Sequence, residues 1–255
     1  MKAMPEKGSE ETSNLKDTSV VKEEIDRFSA LAEQWWDPKG PMAPLHAMNP
    51  VRTEWVKKNF ISKKNTASEL PTLLDIGCGA GLASESFARL GFETLGVDAS
   101  EEAIKAAQAH LKSSPLPSSA APLSYMAGQA EHLVEDKRNF DVVCALEIIE
   151  HVRDPQEFLK LLAQLTKPGG QVVISTLSRT VRSFLVAKLG AEYLLRLLPI
   201  GTHDWKKFIK PAELDQMSRQ VGLQLTHING LSYRPPHWRV SHDLSINYIA
   251  LFKRN

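Results

Sequence analysis

The sequence predicts an α/β fold in which a mostly parallel sheet of seven strands, with an antiparallel edge strand, carries helices on both faces. Short apolar segments alternate with longer amphipathic segments along most of the chain. A glycine-rich turn at 77–81 follows the first apolar segment, and the second apolar segment ends in an acid, Asp98. Repeated strand, helix and strand require parallel pairing with right-handed crossovers, so helices cover both faces. This arrangement is Rossmann-like.

Several helix starts have recognisable sequence signals. Ser100 precedes two glutamates as a helix N-cap, Asp154 precedes Pro155, and Lys210 precedes Pro211. The predicted strands cover 72–76, 93–97, 123–127, 140–145, 170–175, 222–228 and 246–253. The predicted helices cover 21–35, 50–61, 82–90, 100–111, 155–166, 180–197 and 211–221. The last two strands are expected to form a hairpin-like antiparallel edge.

Length and composition indicate one domain over 20–255, preceded by a disordered tail at 1–19. The chain has 255 residues, of which 42% are hydrophobic, and no 18-residue apolar run. Thirty-one basic and 30 acidic residues give a net charge of +1, so nucleic acid is not an expected partner. The two cysteines, Cys78 and Cys144, lie in predicted core strands or their ends, which suits a reducing compartment. The tail has the features of neither a secretory signal nor a transit peptide, so a cytoplasmic location is expected.

The glycine turn predicts a nucleotide cofactor. Alternating glycines let the backbone turn sharply and let a ligand approach, while the next helix directs free N–H groups at the turn. A dinucleotide site requires G-x-G-x-x-G with a third glycine inside that helix, whereas this chain has G-x-G-x-G followed by Ser84 and Glu85. Asp75, just before the turn, suits a cationic ligand, which favours S-adenosylmethionine (SAM). A tight strand–helix connection without any ligand is the alternative.

Four blocks outside the glycine turn resemble the ubiquinone-biosynthesis O-methyltransferases, which are class I SAM-dependent methyltransferases. The blocks contain Trp, His and Asn at fixed positions, and the resemblance extends from about residue 21 to 252. They are Trp35–Pro38, Pro44–Arg52, Leu146–Val152 and Gly201–Pro211. The resemblance implies O-methylation of 2-polyprenyl-6-hydroxyphenol and of 3-demethylubiquinol, with SAM as the donor. It also implies a magnesium site made by Glu147, Glu150 and His151.

The cofactor contacts are predicted from position in the fold and from the resemblance. Asp98 is expected to bind the ribose hydroxyls, and Gln129 the adenine. The backbone at Gly77 and Gly79 is expected to contact the amino-acid portion. Arg52 is expected to pair with the cofactor carboxylate, and a surface arginine is its alternative. The predicted cofactor-binding residues are Arg52, Asp75, Gly77, Gly79, Asp98, Gln129 and Leu146.

Glu147, Glu150 and His151 are the candidate catalytic residues. They follow the fourth strand, at the edge of the sheet where ligands bind in open α/β folds. A phenol has a pKa near 10, so an enzyme must remove its proton or coordinate its oxygen. Two carboxylates and an imidazole could hold Mg²⁺ beside the acceptor oxygens. The alternatives are that Glu147 contacts the cofactor, Glu150 caps backbone N–H groups, and His151 is a metal-free general base.

A basic amphipathic insertion at 178–210 predicts contact with an anionic membrane. It combines leucines and aromatics with seven basic residues against two acids. Such a segment can lie in the headgroup region and admit a polyprenyl tail, so the protein is expected to be peripheral on the inner membrane. A lid packed on its own domain is the alternative. A ubiquinone-biosynthesis complex is a further expected partner.

Other functions stay open from the sequence alone. Trp35 and Trp36 either line the quinol pocket or pack an N-terminal helix onto the domain. A methyltransferase of another phenolic or lipid-like acceptor, or a cofactor-binding scaffold protein, remains an alternative function. A nicotinamide oxidoreductase is disfavoured by the missing third glycine.

Overall fold

A computed structural model describes residues 18–60, 69–184 and 205–255. The sheet contains eight strands in the order β3-β2-β1-β4-β5-β8-β6-β7. The strands are β1 Thr72–Ile76, β2 Glu93–Asp98, β3 Leu123–Ala127, β4 Phe140–Leu146, β5 Thr166–Leu177, β6 Leu223–Arg234, β7 His237–Ser241 and β8 Asn247–Arg254. The helices are α1 Lys22–Ser29, α2 Ala43–Asn59, α3 Leu82–Arg89, α4 Glu101–Ser113, α5 Ala130–Glu135, α6 Pro155–Leu165 and α7 Pro211–Gln220. Short 3₁₀ turns lie at Ala32–Gln34 and Trp205–Lys207.

The predicted fold class is confirmed, but the antiparallel end of the sheet differs from the expectation. Strands β1 to β5 pair in parallel. Strand β8 lies inside the sheet, antiparallel to both β5 and β6. The edge is formed by β7, an eighth strand that pairs with β6. The prediction missed β7 because Pro235 and Pro236 resemble a loop, whereas they form the turn of the β6–β7 hairpin.

Two apolar cores lie on opposite faces of the sheet. Successive side chains of a strand point to opposite faces, so Leu74 joins one core and Leu73 the other. On the first face, Leu133, Phe158 and Leu214 pack from α5, α6 and α7. On the second face, residues of α2 and α3, including Trp55 and Phe87, cover the sheet. The helices therefore hold the strand ends of both faces in fixed positions.

Three predicted helices have different bounds. The helix expected over 21–35 ends at Ser29 and is followed by the 3₁₀ turn. The helix expected over 50–61 begins earlier, at Ala43, and continues through the exposed Pro50. Helix α5 was not predicted. Of the helix expected over 180–197, the structure describes a helical turn at 181–184, and 185–204 lie outside the described residues.

The remaining domain predictions fall partly outside the described chain. Residues 1–17 of the predicted tail are outside it, whereas Ser19 is placed against the domain, where its backbone N–H donates to Glu131 (2.6 Å). Both cysteines are buried and free. Within 18–60, 69–184 and 205–255, none of the helices has the length and apolar character that a membrane crossing requires.

Candidate active site

A cavity of about 350 Å³ opens at the carboxyl ends of the parallel strands. The turns after β1, β2 and β4 and the start of α5 form its floor, and the N-terminal segment from Ser19 to Leu45 covers it. Every site residue predicted from the sequence lines this cavity: Arg52, Asp75, Gly77, Gly79, Asp98, Gln129, Leu146, Glu147, Glu150 and His151. The structure therefore brings the predicted cofactor residues and the predicted catalytic residues into one space.

The glycine turn lies against the end of β2. The N–H groups of Gly77 and Cys78 both donate to the carbonyl of Val97 (2.7 and 3.1 Å). Gly79 adopts a φ of +54°, and a Cβ at this position would overlap the indole ring of Trp35. Glycine is required at 79 both for its left-handed backbone and for this close approach.

Asp98 is held by two backbone groups. The N–H of Gly79 donates to Oδ2 (2.8 Å) and the N–H of Ser100 donates to Oδ1 (2.9 Å). Burial raises the pKa of Asp98, and the two hydrogen bonds oppose that rise. A carboxylate oxygen can accept more than one hydrogen bond, so each oxygen keeps capacity for a ribose hydroxyl.

Arg52 and Asp75 are two buried charged residues that line the cavity beside the glycine turn. Asp75 is 2% exposed and accepts a hydrogen bond from Ser84 Oγ (2.6 Å). Burial raises the pKa of Asp75 to about 6, although the Ser84 bond and the charge of Arg52 act in the opposite direction. Arg52 is 4% exposed, so it is not a surface arginine, and its Nε donates to Asn49 Oδ1 (3.1 Å).

Burial lowers the pKa of Arg52, whereas the carboxylates of Glu147 and Asp75 raise it. The guanidinium therefore lies in the field of both acids.

Gln129 supplies a buried acceptor at the far end of the cavity. It is the N-cap residue of α5 and lines the space beside Asp98. Its Oε1 is buried and has no hydrogen-bond partner among the described residues. A buried amide oxygen without a partner costs about 1–3 kcal/mol, so this atom is suited to accept a hydrogen bond from a bound ligand.

Glu147 is fixed where β4 ends. Its backbone has a φ of +59°, a conformation uncommon for a residue other than glycine. Ser175 Oγ donates to Oε1 (2.7 Å) and Asn247 Nδ2 donates to Oε2 (2.9 Å). Side chains of β5, which pairs with β4, and of β8, the next strand along the sheet, therefore hold this carboxylate at the cavity.

Glu150 lies deeper, and only 4% of its surface is exposed. Its Oε2 accepts a hydrogen bond from Thr176 Oγ1 (2.9 Å). Burial, and then the charge of Glu147, raise the pKa of Glu150 to about 7. The group can therefore exchange a proton near neutral pH.

His151 pairs with an acid that the sequence did not point to. Its Nδ1 lies 3.2 Å from Glu24 Oε2 of α1, and the edge of Phe28 packs on the imidazole with ring centroids 5.5 Å apart. Burial lowers the pKa of His151, but the hydrogen bond to Glu24 and the nearby carboxylates outweigh it and raise the pKa. The same hydrogen bond lowers the pKa of Glu24. Glu24 is one of several acids in α1, and only its position in the fold shows that it pairs with His151.

Each of the three candidate metal ligands interacts with different side chains of the protein. Glu147 bonds to Ser175 and Asn247, Glu150 to Thr176, and His151 to Glu24. In the described part of the chain, no group of three His, Cys, Asp or Glu side chains is arranged to hold a metal ion.

The N-terminal segment is clamped onto the glycine turn by two tryptophans. Trp36 Nε1 donates to the carbonyl of Ala80 (3.0 Å), and its ring stacks on His110 with centroids 3.4 Å apart. Trp35 is buried with Met42 and Ala80 and lines the cavity. The aromatics therefore pack the N-terminal segment onto the domain, and Trp35 also lines the cavity; that the quinol binds beside it stays a prediction.

Comparison with known proteins identifies the class. Residues 21–228 match the family model described as a methyltransferase domain. The structure resembles magnesium protoporphyrin IX methyltransferase from Synechocystis PCC 6803 with bound SAH (TM-score 0.63, 16% identity, 92% of this chain and 95% of that chain). It also resembles a possible histamine N-methyltransferase from Thermotoga maritima (TM-score 0.62, 15% identity, 90% and 99% covered). The chain is a class I SAM-dependent methyltransferase.

Sequence relatives narrow the class. The ubiquinone biosynthesis O-methyltransferase of Pelagibacter ubique is 43% identical over 244 residues, covering 93% of this chain and 99% of the relative. That of Caulobacter vibrioides is 44% identical over 240 residues (91% and 93%), and the mitochondrial enzyme of Arabidopsis thaliana is 41% identical over 241 residues (91% and 74%). This chain belongs to the ubiquinone biosynthesis O-methyltransferase family.

Proposed function

We propose that the protein transfers a methyl group from SAM to a ring hydroxyl of 2-polyprenyl-6-hydroxyphenol and of 3-demethylubiquinol. The observation that carries the proposal is the single cavity that joins Asp98 and Gln129 at one end to Glu150 and His151 at the other. The family to which the chain belongs indicates the pathway, and the cavity offers a place for both substrates. The proposal includes a cytoplasmic location, with peripheral contact to the inner membrane.

The described residues fit SAM. Asp98 is positioned to accept the ribose hydroxyls, and the unpartnered Oε1 of Gln129 to accept from the adenine amino group. Arg52 and the backbone at Gly77 and Gly79 are suited to the amino-acid portion, with Leu146 beside it. When bound, SAM supplies a methyl group on a sulfonium that is already a good leaving group.

His151 is the proposed base. A phenol has a pKa near 10 and is a weak nucleophile while protonated. With the Nδ1 proton held by Glu24, Nε2 is the nitrogen of the neutral imidazole that can accept the phenolic proton. The carboxylates of Glu24 and Glu150 then stabilise the imidazolium that forms.

The predicted magnesium site is not assembled in the described arrangement. Glu147, Glu150 and His151 are hard ligands of the right chemistry for Mg²⁺, but each is bound to other side chains. No step of the proposed reaction therefore passes through a metal. Magnesium stays a prediction, tested by activity with and without chelator.

A membrane surface and a biosynthetic complex are the proposed partners. The described ends of the insertion at 178–210 support the membrane, since Val181, Phe184 and Trp205 are exposed beside Arg182. Vesicles with and without anionic lipid test this contact by flotation, and retention only on anionic vesicles is the expected result. Equal recovery of the protein in the unbound fraction for both vesicle types would overturn it.

Methyl transfer from labelled SAM tests the central proposal. The acceptors are a short-tailed demethylubiquinol, a short-tailed 2-polyprenyl-6-hydroxyphenol analogue and a soluble catechol, each with chelator and with added Mg²⁺. Preferred labelling of the tailed acceptors supports the proposal. Transfer only to the catechol favours another phenol, and SAH binding without transfer to any acceptor favours a scaffold.

A further inference from the structure

Trp35 contains a hydrogen-bond donor that the fold does not use. The residue is 6% exposed, and its Nε1 has no hydrogen-bond partner among the described residues. A buried N–H without a partner costs about 1–3 kcal/mol, and most buried polar groups in folded proteins are paired. By contrast, the indole N–H groups of Trp36, Trp55 and Trp205 each donate to a protein oxygen.

The position of Trp35 is fixed by its neighbours. Its ring lies against Gly79, where any Cβ would overlap it, and its carbonyl accepts from the ring nitrogen Nε2 of His46 (2.8 Å). The adjacent Trp36 is bound to Ala80 of the glycine turn. These contacts pack the Trp35 ring against the glycine turn, so the donor is held there before any ligand binds.

Trp35 also connects the two ends of the cavity. On one side it contacts the glycine turn. On the other, its ring centroid lies 6.3 Å from that of Phe28, which in turn packs on His151. Trp35 therefore links the glycine turn, where SAM is proposed to bind, to the part of the cavity that His151 lines.

We infer that Trp35 is a substrate-binding residue whose indole N–H donates a hydrogen bond to a ligand oxygen in this cavity. Two oxygens offer the required chemistry: the carboxylate of SAM and a ring oxygen of the phenolic acceptor. The inference rests on the proposed function, and its test separates these two sources.

The test replaces the N–H while keeping the ring. Trp35 is exchanged for 3-benzothienylalanine, an isostere with sulfur in place of N–H, and Trp35→Phe is made as a genetically simple second variant. Trp238→Phe is the matched control, because Trp238 lies on β7, packs partly buried against the core beneath α2 and α3, and does not line the cavity. SAH affinity is measured by calorimetry, the KM of the acceptor by methyl transfer, and stability by thermal unfolding.

If the partner is the neutral ring oxygen, the isostere is expected to raise the acceptor KM by roughly 3- to 10-fold, and if it is the carboxylate, to weaken SAH binding by roughly 10- to 150-fold, because a hydrogen bond to a charged group contributes more than a neutral one. Weaker SAH binding identifies the carboxylate, and a raised acceptor KM identifies the ring oxygen. The unliganded isostere variant is expected to unfold at the same temperature as the wild type or higher, because no protein hydrogen bond is lost.

Values within twofold of the wild type in both arms would overturn the inference. The proposed function would still stand in that case, because it fails only if the wild-type protein binds no SAH or methylates none of the acceptors.

Discussion

Asp98→Asn tests the assignment of the ribose site. In the structure, one oxygen of Asp98 accepts from Gly79 N–H and the other from Ser100 N–H. An amide has only one oxygen, so one of these N–H groups would face an NH₂ group and lose its acceptor. The same replacement removes one of the two acceptors for the ribose hydroxyls.

The expected effect follows from these losses. A hydrogen bond to a charged group contributes about 1.5–3 kcal/mol, so losing one ribose contact weakens SAH binding by roughly 10- to 150-fold. The lost backbone contact lowers the free energy of unfolding, whereas removal of the buried charge raises it, because burial raises the pKa of Asp98. Calorimetric titration with SAH measures the first effect, and chemical denaturation the second.

Asp141→Asn is the matched control. Asp141 Oδ2 accepts from the backbone N–H and the Oγ1 of Thr72 (2.9 and 2.8 Å), at the opposite end of the sheet from the cavity. This variant is expected to lose stability and keep the SAH affinity of the wild type. Wild-type SAH affinity in Asp98→Asn would refute the ribose assignment.

Three further variants test the catalytic end and the turn. In the folded state the pKa of Glu150 is raised from 4.5 to about 7. The stabilisation that Glu150 gives the fold is therefore fully present below about pH 4.5, where the group is protonated, and is lost as the pH rises through 7. The free energy of unfolding of Glu150→Gln, relative to the wild type, is therefore expected to increase by up to about 3 kcal/mol from pH 5 to pH 8. Denaturation at both pH values measures this change. Burial lowers the pKa of His151, but the hydrogen bond to Glu24 contributes to its net rise. Glu24→Gln is therefore expected to lower the pKa of His151 and to move the acidic limb of the kcat/KM profile to lower pH. The pH–rate profile is measured in the presence of chelator. Gly79→Ala is expected to weaken SAH binding more than tenfold in a calorimetric titration, because its Cβ would overlap Trp35.

Each of these variants has a result that contradicts the reasoning. A stability difference for Glu150→Gln that is the same at pH 5 and pH 8 would mean that Glu150 does not titrate in this range. An acidic limb at the same pH in Glu24→Gln and in the wild type would mean that Glu24 does not raise the pKa of the catalytic base. For Gly79→Ala the control is Gly222→Ala, where φ is +79° and a Cβ meets nothing within 4 Å. Equal loss of SAH affinity in both glycine variants would point to general destabilisation.

Much of the site could be predicted because its residues lie at strand ends. A buried strand that ends in a glycine turn or an acid has clear limits, and β1 and β3 have the predicted bounds. Parallel strands bring their carboxyl ends to one edge, so Asp98 and Glu147 line the same cavity although they are far apart in sequence.

The parts that could not be predicted depend on contacts across the fold. Glu24 lies on a short helix whose sequence is typical of a solvated surface, and its contact with His151 exists only once α1 covers the cavity. Pro50 resembled a helix start, since proline favours the first turn, but it is exposed within α2 and the helix continues through it. The unpartnered N–H of Trp35 depends on packing that no local pattern specifies.

A crystal structure with SAH and a short-tailed demethylubiquinol tests the account most directly, because it locates both substrates at once. The account predicts the SAH ribose on Asp98, the adenine at Gln129, and the acceptor hydroxyl within hydrogen-bond distance of His151. An acceptor bound away from His151, or SAH bound outside the turn after β1, would contradict it.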